Sequence, residues 1–254
     1  MSQSQDGGTR VCLVVPCYNE AQRLDTHSFR EFLAGHECVR ILFVDDGSSD
    51  DTRKILEQVR EGWEERAAIL PNQRNSGKAE AVRVGVEHAL RLFDPEIIGY
   101  WDADLATPLS AVDRFVEIFE CNGKVSMVFG ARVKLLGRHV ERRATRHYLG
   151  RVFATVVSTM LRLPIYDTQC GAKLFRVDAQ LREAFAEPFL SKWVFDVEIL
   201  ARYLNFFNGD TRLLGEAIYE YPLEQWVDVA GSKVHAGDFL KAFLDVLRIR
   251  RKYL

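Results

Sequence analysis

Two carboxylates one residue apart, Asp102 and Asp104, stand at the end of the apolar run Ile97-Ile98-Gly99-Tyr100-Trp101 and before Leu105-Ala106-Thr107-Pro108. Where a buried strand emerges, such a pair offers hard oxygen ligands to Mg2+ or Mn2+. These ions hold few protein carboxylates and take their other ligands from water and substrate phosphates. A plain turn is the alternative reading of Asp-x-Asp.

Three further segments at expected strand ends carry polar chemistry. In Pro16-Cys17-Tyr18-Asn19-Glu20, Pro16 should end the first strand and the polar residues after it could hold a ribose or base; a loop cap accounts for Asn19 alone. In Val44-Asp45-Asp46-Gly47-Ser48-Ser49-Asp50, two acids and a turn glycine suit recognition of a base or ribose hydroxyl. Ser49 or Asp50 is also a plausible helix N-cap. Asn75-Ser76-Gly77-Lys78 combines a glycine, a cation and a following helix N-terminus, a plausible phosphate site but not a Walker A loop.

Apolar runs alternating with helical patterns must position these segments. Strands are expected at Val11–Val15, Ile41–Val44, Ala67–Leu70, Ile97–Trp101 and Val125–Gly130. Helices are expected at Ala21–Ala34, Asp51–Glu65, Lys78–Phe93 and Leu109–Glu120. This predicts an α/β fold with a mostly parallel central sheet and helices on both faces. Such sheets bind ligands beyond the carboxyl ends of their strands.

The second half is less regular. Leu149, Val152, Phe153, Val156, Val157, Met160 and Leu161 mark an amphipathic helix, read as core packing with a membrane-facing stripe as the alternative. Ala172–Arg176 reads as a strand, Phe195–Phe206 as a helix and Ala217–Tyr221 as a late strand. From Phe239 to Ile249 apolar residues recur at helical spacing, followed by Arg250, Arg251 and Lys252. This segment is either a packing helix with a basic last turn or an interfacial anchor on anionic lipid. The expected division is a flexible tail over 1–10, one domain over 11–235 and an amphipathic basic helix over 236–254.

Composition excludes several classes. The 254 residues are 47% hydrophobic and carry a net charge of −2, so no global field favours nucleic acid. Seven Lys/Arg and one acid do fall between Arg132 and Arg151. That stretch is either a solvated face or a phosphate-binding one. Five cysteines without a Cys-x-x-Cys fit a reducing cytoplasm better than a disulfide framework. No run is long enough to span a membrane, so any membrane contact is expected to be peripheral, on the cytoplasmic face. His139 and His147 lie in the basic stretch without ligand spacing.

Taken together, the four strand-end segments resemble the nucleotide-sugar-binding half of an inverting family 2 glycosyltransferase of the GT-A fold. Gly130-Ala131-Arg132, Arg142-Arg143, Asp167-Thr168-Gln169-Cys170-Gly171-Ala172-Lys173 and Trp193-Val194-Phe195-Asp196-Val197-Glu198 are similar to its polyprenyl-phosphate branch. That branch includes dolichyl-phosphate mannose synthases and β-glucosyltransferases. Trp226 with Gly231-Ser232-Lys233 looks most like the glucosyltransferase side. Ala79 replaces the last glycine of the Asn-x-Gly-Lys-Gly pattern, and the transmembrane segments of many relatives are missing.

The resemblance implies a nucleotide-sugar donor, UDP-glucose or GDP-mannose, a polyprenyl-phosphate acceptor, and Mg2+ or Mn2+. It implies that Pro16, Tyr18 and Glu20 meet the nucleoside, Asp46 the base or ribose, and Lys78 the donor. Asp102 and Asp104 would bind the metal and the sugar region. Arg132, Arg143 and Lys173 would meet phosphate, and Gln169 the transferred sugar. Trp226 and Ser232 would belong to the substrate site. Asp196 and Glu198 occupy the segment where many members keep a catalytic acid. The alternatives are transfer to a soluble or glycan hydroxyl, with Asp196 as base, and a non-catalytic nucleotide-sugar-binding protein.

Overall fold

The structure is a computed structural model and describes residues 10–141, 144–229 and 236–254. Its first half alternates β1 (Val11–Cys17), α1 (Thr26–Gly35), β2 (Val39–Asp45), α2 (Thr52–Arg60), β3 (Ala67–Pro71), α3 (Lys78–Leu92), β4 (Ile97–Trp101), α4 (Ala111–Cys121) and β5 (Met127–Ala131). There follow β6 (His139–Glu141), α5 (Ala144–Leu161), β7 (Ala172–Arg176), α6 (Ala179–Ala186), α7 (Phe195–Phe206), α8 (Thr211–Ala217), β8 (Ile218–Pro222), β9 (Gln225–Val227) and α9 (Ala236–Tyr253).

Among the described residues the main sheet has seven strands, ordered β3-β2-β1-β4-β7-β5-β8. Strand β7 runs antiparallel to both β4 and β5, and the other pairings are parallel. The expected mostly parallel α/β architecture is therefore present, with one reversed strand inside it. Strands β6 and β9 form a separate parallel pair.

The near-continuous apolar runs arise because both faces of the sheet are covered. Alternate residues of β1 feed two cores: Cys12 and Val14 pack with α3 and α7, while Val11, Leu13 and Val15 pack with α1, α2 and α4. Helix α7 is buried on every side from Phe195 to Leu204 and carries Asp196, Glu198 and Arg202 into the interior. Buried charges demand partners. Glu198 pairs with Arg202 at 2.6 Å and also accepts from Leu190 N and Tyr253 Oη of α9. Thus α9 packs on α7 through Ala242, Val246 and Ile249 and is tied to it by a partly buried hydrogen bond.

Several boundaries differ from expectation for local reasons. Helix α1 starts at Thr26 rather than Ala21 because the Asp25 carboxylate caps Ser28 N. Helix α2 stops at Arg60 rather than Glu65, just ahead of Gly62 with φ +80°. Its N-cap is Asp51, without a side-chain cap bond, rather than the expected Ser49 or Asp50; Asp50, one residue earlier, accepts from Thr52 N at 3.0 Å. Pro16 does not end β1, which continues through Cys17. Pairing of β1 to β4 stops at Val14, and beyond it that side of β1 is an edge, where proline is tolerated. Of the expected tail, Arg10 is held by Cys38 O and Glu120, and residues 1–9 lie outside the described residues.

Arg202 also donates to the carbonyls of Ala184, Glu187 and Pro188. Arg202→Met should lower the unfolding free energy by about 3–5 kcal/mol, because it leaves Glu198 buried and uncompensated. Denaturant melts read this directly. A loss below about 1 kcal/mol would contradict the packing described for α7.

Candidate active site

The strand-end segments converge on a cleft of about 620 Å³ above the carboxyl ends of β1, β2 and β4. Pro16, Tyr18, Glu20, Asp46, Lys78, Asp102, Asp104, Arg132, Gln169, Asp196 and Trp226 all line it. Asn19, at φ +52°, joins the first two loops: its side-chain oxygen accepts from Ser49 N at 2.9 Å, and its own N–H donates to Ser48 Oγ. Glu20 is buried, its Oε1 2.5 Å from the Arg23 guanidinium.

The paired acids of the second loop mainly build the cleft wall. Asp45 accepts from Ser48 N at 3.0 Å. Asp46 is 2% exposed and accepts from Asn72 Nδ2, Ser76 N and Gly77 N at 2.8–3.1 Å. The anion at the N-terminus of α3 is therefore Asp46 itself. This corrects the phosphate-cradle reading of Asn75-Ser76-Gly77, since two of the backbone donors it needs are already used. Gly47, φ +70°, makes the close approach feasible: a Cβ there would stand 2.6 Å from the Arg74 carbonyl carbon.

Lys78 instead reaches across the cleft to Asp102, with Nζ 2.5 Å from Oδ1. Burial alone would lower the Lys78 pKa, but the charges of Asp102 and Asp196 raise it. Asp102 is set by Gly171, whose carbonyl accepts from Asp102 N at 2.9 Å. A Cβ on Gly171 would fall 1.8 Å from Asp102 Oδ2, so only glycine leaves the carboxylate where it is. Burial, and then the neighbouring Asp102 charge, raise the Asp104 carboxyl above its ordinary range.

Beneath this pair lies a buried ionic junction. Lys173 Nζ donates to Asp196 Oδ1 at 2.6 Å and to the carbonyls of Thr168 and Cys170. Tyr100 Oη donates to the same Asp196 oxygen. Gln169 Nε2 lies 3.5 Å from the other, Oδ2. Lys173 is 2% exposed and does not line the cleft, which corrects its expected phosphate contact. A cation surrounded by three internal acceptors has no donor to spare. Glu198, two residues beyond Asp196, faces away toward α9 and is structural.

Arg132 makes a bidentate pair with Asp167, at 2.6 and 2.7 Å, and lies over the Trp226 ring at 5.3 Å. Burial would weaken its charge, but Asp167 raises its pKa. Asp167 is held in turn by Glu220 of β8, which accepts from Tyr166 N and Asp167 N. Arg143 and Ser232, two expected substrate contacts, lie outside the described residues. The cleft lining also includes Gly150, Phe153, Ala154 and Ala242 of α5 and α9 with Trp193 and Phe195. Sequence reasoning missed Tyr100, Lys192 and Arg23. Only Tyr100 carried a signal, standing two strand positions before Asp102 and so on the same face.

The donor set suits a hard divalent cation: two cleft carboxylates, one with its pKa raised by burial and then by the other's charge. No group of three or more His, Cys, Asp or Glu residues that could hold a metal ion occurs among the described residues. A cation here would depend on water or a substrate diphosphate for its remaining ligands. The loop geometry has its own check. Asp46→Ala frees the N–H groups of Ser76 and Gly77, so their amide exchange should accelerate at least about tenfold, the equivalent of one hydrogen bond. Unchanged protection would show that Asp46 does not pin this loop.

The Glycosyl transferase family 2 model matches residues 12–181, well over half of the chain. Dolichyl-phosphate beta-glucosyltransferase from Saccharomyces cerevisiae is 31% identical over 266 residues, covering 96% of this chain and 75% of the relative. The Mus musculus protein of the same name is 30% identical, covering 96% and 76%. Among solved structures, glucosyl-3-phosphoglycerate synthase from Mycobacterium tuberculosis, in complex with Mn2+, UDP and glucosyl-3-phosphoglycerate, superposes with a TM-score of 0.70. The match covers 96% of this chain and 80% of that one at 17% identity, a likeness of fold. With that fold and this family match, the chain belongs to glycosyl transferase family 2 and is a glycosyltransferase.

Proposed function

We propose that this glycosyltransferase moves glucose from UDP-glucose to a polyprenyl phosphate of the dolichyl type, with inversion at the anomeric carbon. The observation that carries the reading is the polarity of the cleft. It is lined by Lys78, Asp102 and Asp104, suited to a diphosphate and a cation, and also by apolar residues of α5 and α9. A donor diphosphate fits the first and an acceptor with an apolar chain fits the second. The names of the relatives support glucose and dolichyl phosphate, and the UDP and Mn2+ complex of the structural neighbour supports the donor class.

In this reading Pro16, Tyr18 and Glu20 hold the nucleoside, with Asp46 as the pin beneath them. Asp102 and Asp104 would hold Mg2+ or Mn2+. Bound there, the ion would offset charge on the departing diphosphate. Lys78 stands beside the same position and adds positive charge. An acceptor phosphate oxygen attacks the anomeric carbon as the bond to the diphosphate breaks, and the bonding electrons leave with the diphosphate. A phosphate is already anionic near neutral pH and needs little general-base help. It needs positioning next to other negative charge, the part taken by Arg132, with Lys192 and Gln169 in the same cleft. Asp196 serves here as the charged support of Gln169 and Lys173. If the acceptor were a hydroxyl, Asp196 would be its base.

The test is transfer of labelled sugar to short-chain polyprenyl phosphate, from UDP-glucose and in parallel from GDP-mannose. Organic-extractable, acid-labile glucosyl lipid is the expected product. Mannosyl product would replace the donor assignment. Product on a soluble hydroxyl only, with Asp196→Asn losing about 10²-fold or more, would replace the acceptor assignment. In the same assay Gly171→Ala should lower kcat/KM about 10²-fold by displacing Asp102, because misplacement on the ångström scale costs that much. Full activity of the alanine variant would remove Asp102 from the site.

A further inference from the structure

The Asp102 carboxylate lies against Gly171: a Cβ on that glycine would fall 1.8 Å from Oδ2, 2.2 Å from Cγ and 2.5 Å from Oδ1. Backbone thus closes one face of the carboxylate, and the Lys78 ammonium stands 2.5 Å from its Oδ1. A divalent cation held by Asp102 and Asp104 would need the same carboxylate. Other cations of the cleft have partners elsewhere. Arg132 pairs with Asp167, Arg23 with Glu20, and the buried Lys173 with Asp196. Asp104, for its part, accepts from Ala106 N at 3.2 Å. Lys78 is therefore the side chain that competes with a metal for Asp102.

The competition is reversible by construction. The two paired side chains keep 39% and 37% of their surface in the open, and ion pairs that meet water are held loosely. Lys78 can change partner without moving its helix. It is the first residue of α3, and the N–H groups of Ser76 and Gly77 just before it are pinned by Asp46 at 2.8–3.1 Å. The ammonium sits on a flexible four-carbon stem and can swing about that fixed point. Because Asp46 uses those N–H groups, the Lys78 ammonium is what this helix end can bring to a diphosphate.

Charge then decides the order of binding. A divalent cation arriving alone would break the Lys78–Asp102 pair and leave an ammonium beside two new positive charges. A diphosphate arriving alone would face the carboxylates of Asp102 and Asp104. Arriving together, they exchange partners: the cation takes Asp102, and Lys78 takes a phosphate oxygen.

We infer that Lys78 is a positioning residue that keeps Asp102 paired until a divalent cation and a nucleoside diphosphate bind together, and that it then passes from the carboxylate to the diphosphate. Each ligand alone binds weakly, and each strengthens the other by the same factor. The inference rests on the reading of Asp102 and Asp104 as cation ligands.

The experiment titrates the full chain with Mn2+ in the absence of nucleotide and follows free Mn2+ by electron paramagnetic resonance. A parallel calorimetric titration adds UDP at saturating Mn2+. Lys78→Gln should tighten Mn2+ binding without nucleotide about tenfold or more, and weaken UDP binding with Mn2+ by a similar factor. Lys78→Arg, which keeps the charge, should hold Mn2+ alone no more tightly than Lys78→Gln does. The opposite signs are the signature, since a merely structural loss would weaken both ligands. The pair is half in water, so unchanged thermal melts are expected. Mn2+ affinity without nucleotide that is equal or weaker in Lys78→Gln overturns the inference. If Asp104→Asn still abolishes metal-dependent UDP binding in that case, the cation site itself stands. Mn2+ binding to Lys78→Gln that survives an added Asp104→Asn would place the cation elsewhere, and both the inference and the cation site would fall.

Discussion

The ion pair between Lys173 and Asp196 lies where β7, the one reversed strand of the main sheet, meets the buried helix α7. Register puts Tyr100 of β4 and Phe129 of β5 on either side of Lys173, and its ammonium sits 5.4 and 5.6 Å from their ring centroids. An ammonium taken out of water is costly unless every proton finds an acceptor. Asp196 and the carbonyls of Thr168 and Cys170 supply those acceptors. One charged group thus fixes α7, the strand β4 that leads into Asp102, and the 168–171 loop that carries Gln169 and Gly171. The spacing of the cleft follows from that junction.

The same economy governs the other loops. Groups that look free to meet a ligand are engaged with one another. Asp46 holds the loop before α3, Glu220 holds Tyr166–Asp167, and Asp167 holds Arg132. What faces the cleft with chemistry to offer is the Lys78, Asp102 and Asp104 cluster, set by Gly171, together with Arg132, Lys192 and Gln169. A site organised before its ligand arrives loses less freedom on binding and need not reorganise as charge moves.

The strands were readable because a sheet covered on both faces needs apolar residues at every position, and the carboxyl-end loops followed from that. The direction of β7 was not readable, since an apolar run has no arrow. Helices α6 and α8 and the strands β6 and β9 were too short to carry a period. Cation roles were the weakest point. The resemblance implied a phosphate contact for Lys173, yet its place within Ala172–Arg176, between Ala172 and Leu174, is that of a strand residue sealed in the sheet. Asp46 and Glu198 are likewise bonded to internal partners: residue type announces charge, but only packing reveals which partner uses it. Tyr100 was hidden among apolar neighbours because its hydroxyl matters only once α7 lies across the strand.

The central claim is that Asp102 and Asp104 hold a divalent cation together with a nucleoside diphosphate. Calorimetric titration of UDP into the full chain, with Mn2+ and then with EDTA, tests it most directly, using Asp104→Asn as the companion protein. Binding that needs the metal, and that weakens about tenfold or more in Asp104→Asn at an unchanged melting temperature, is the predicted result. Equal UDP affinity with and without metal, unaltered in the variant, would contradict it.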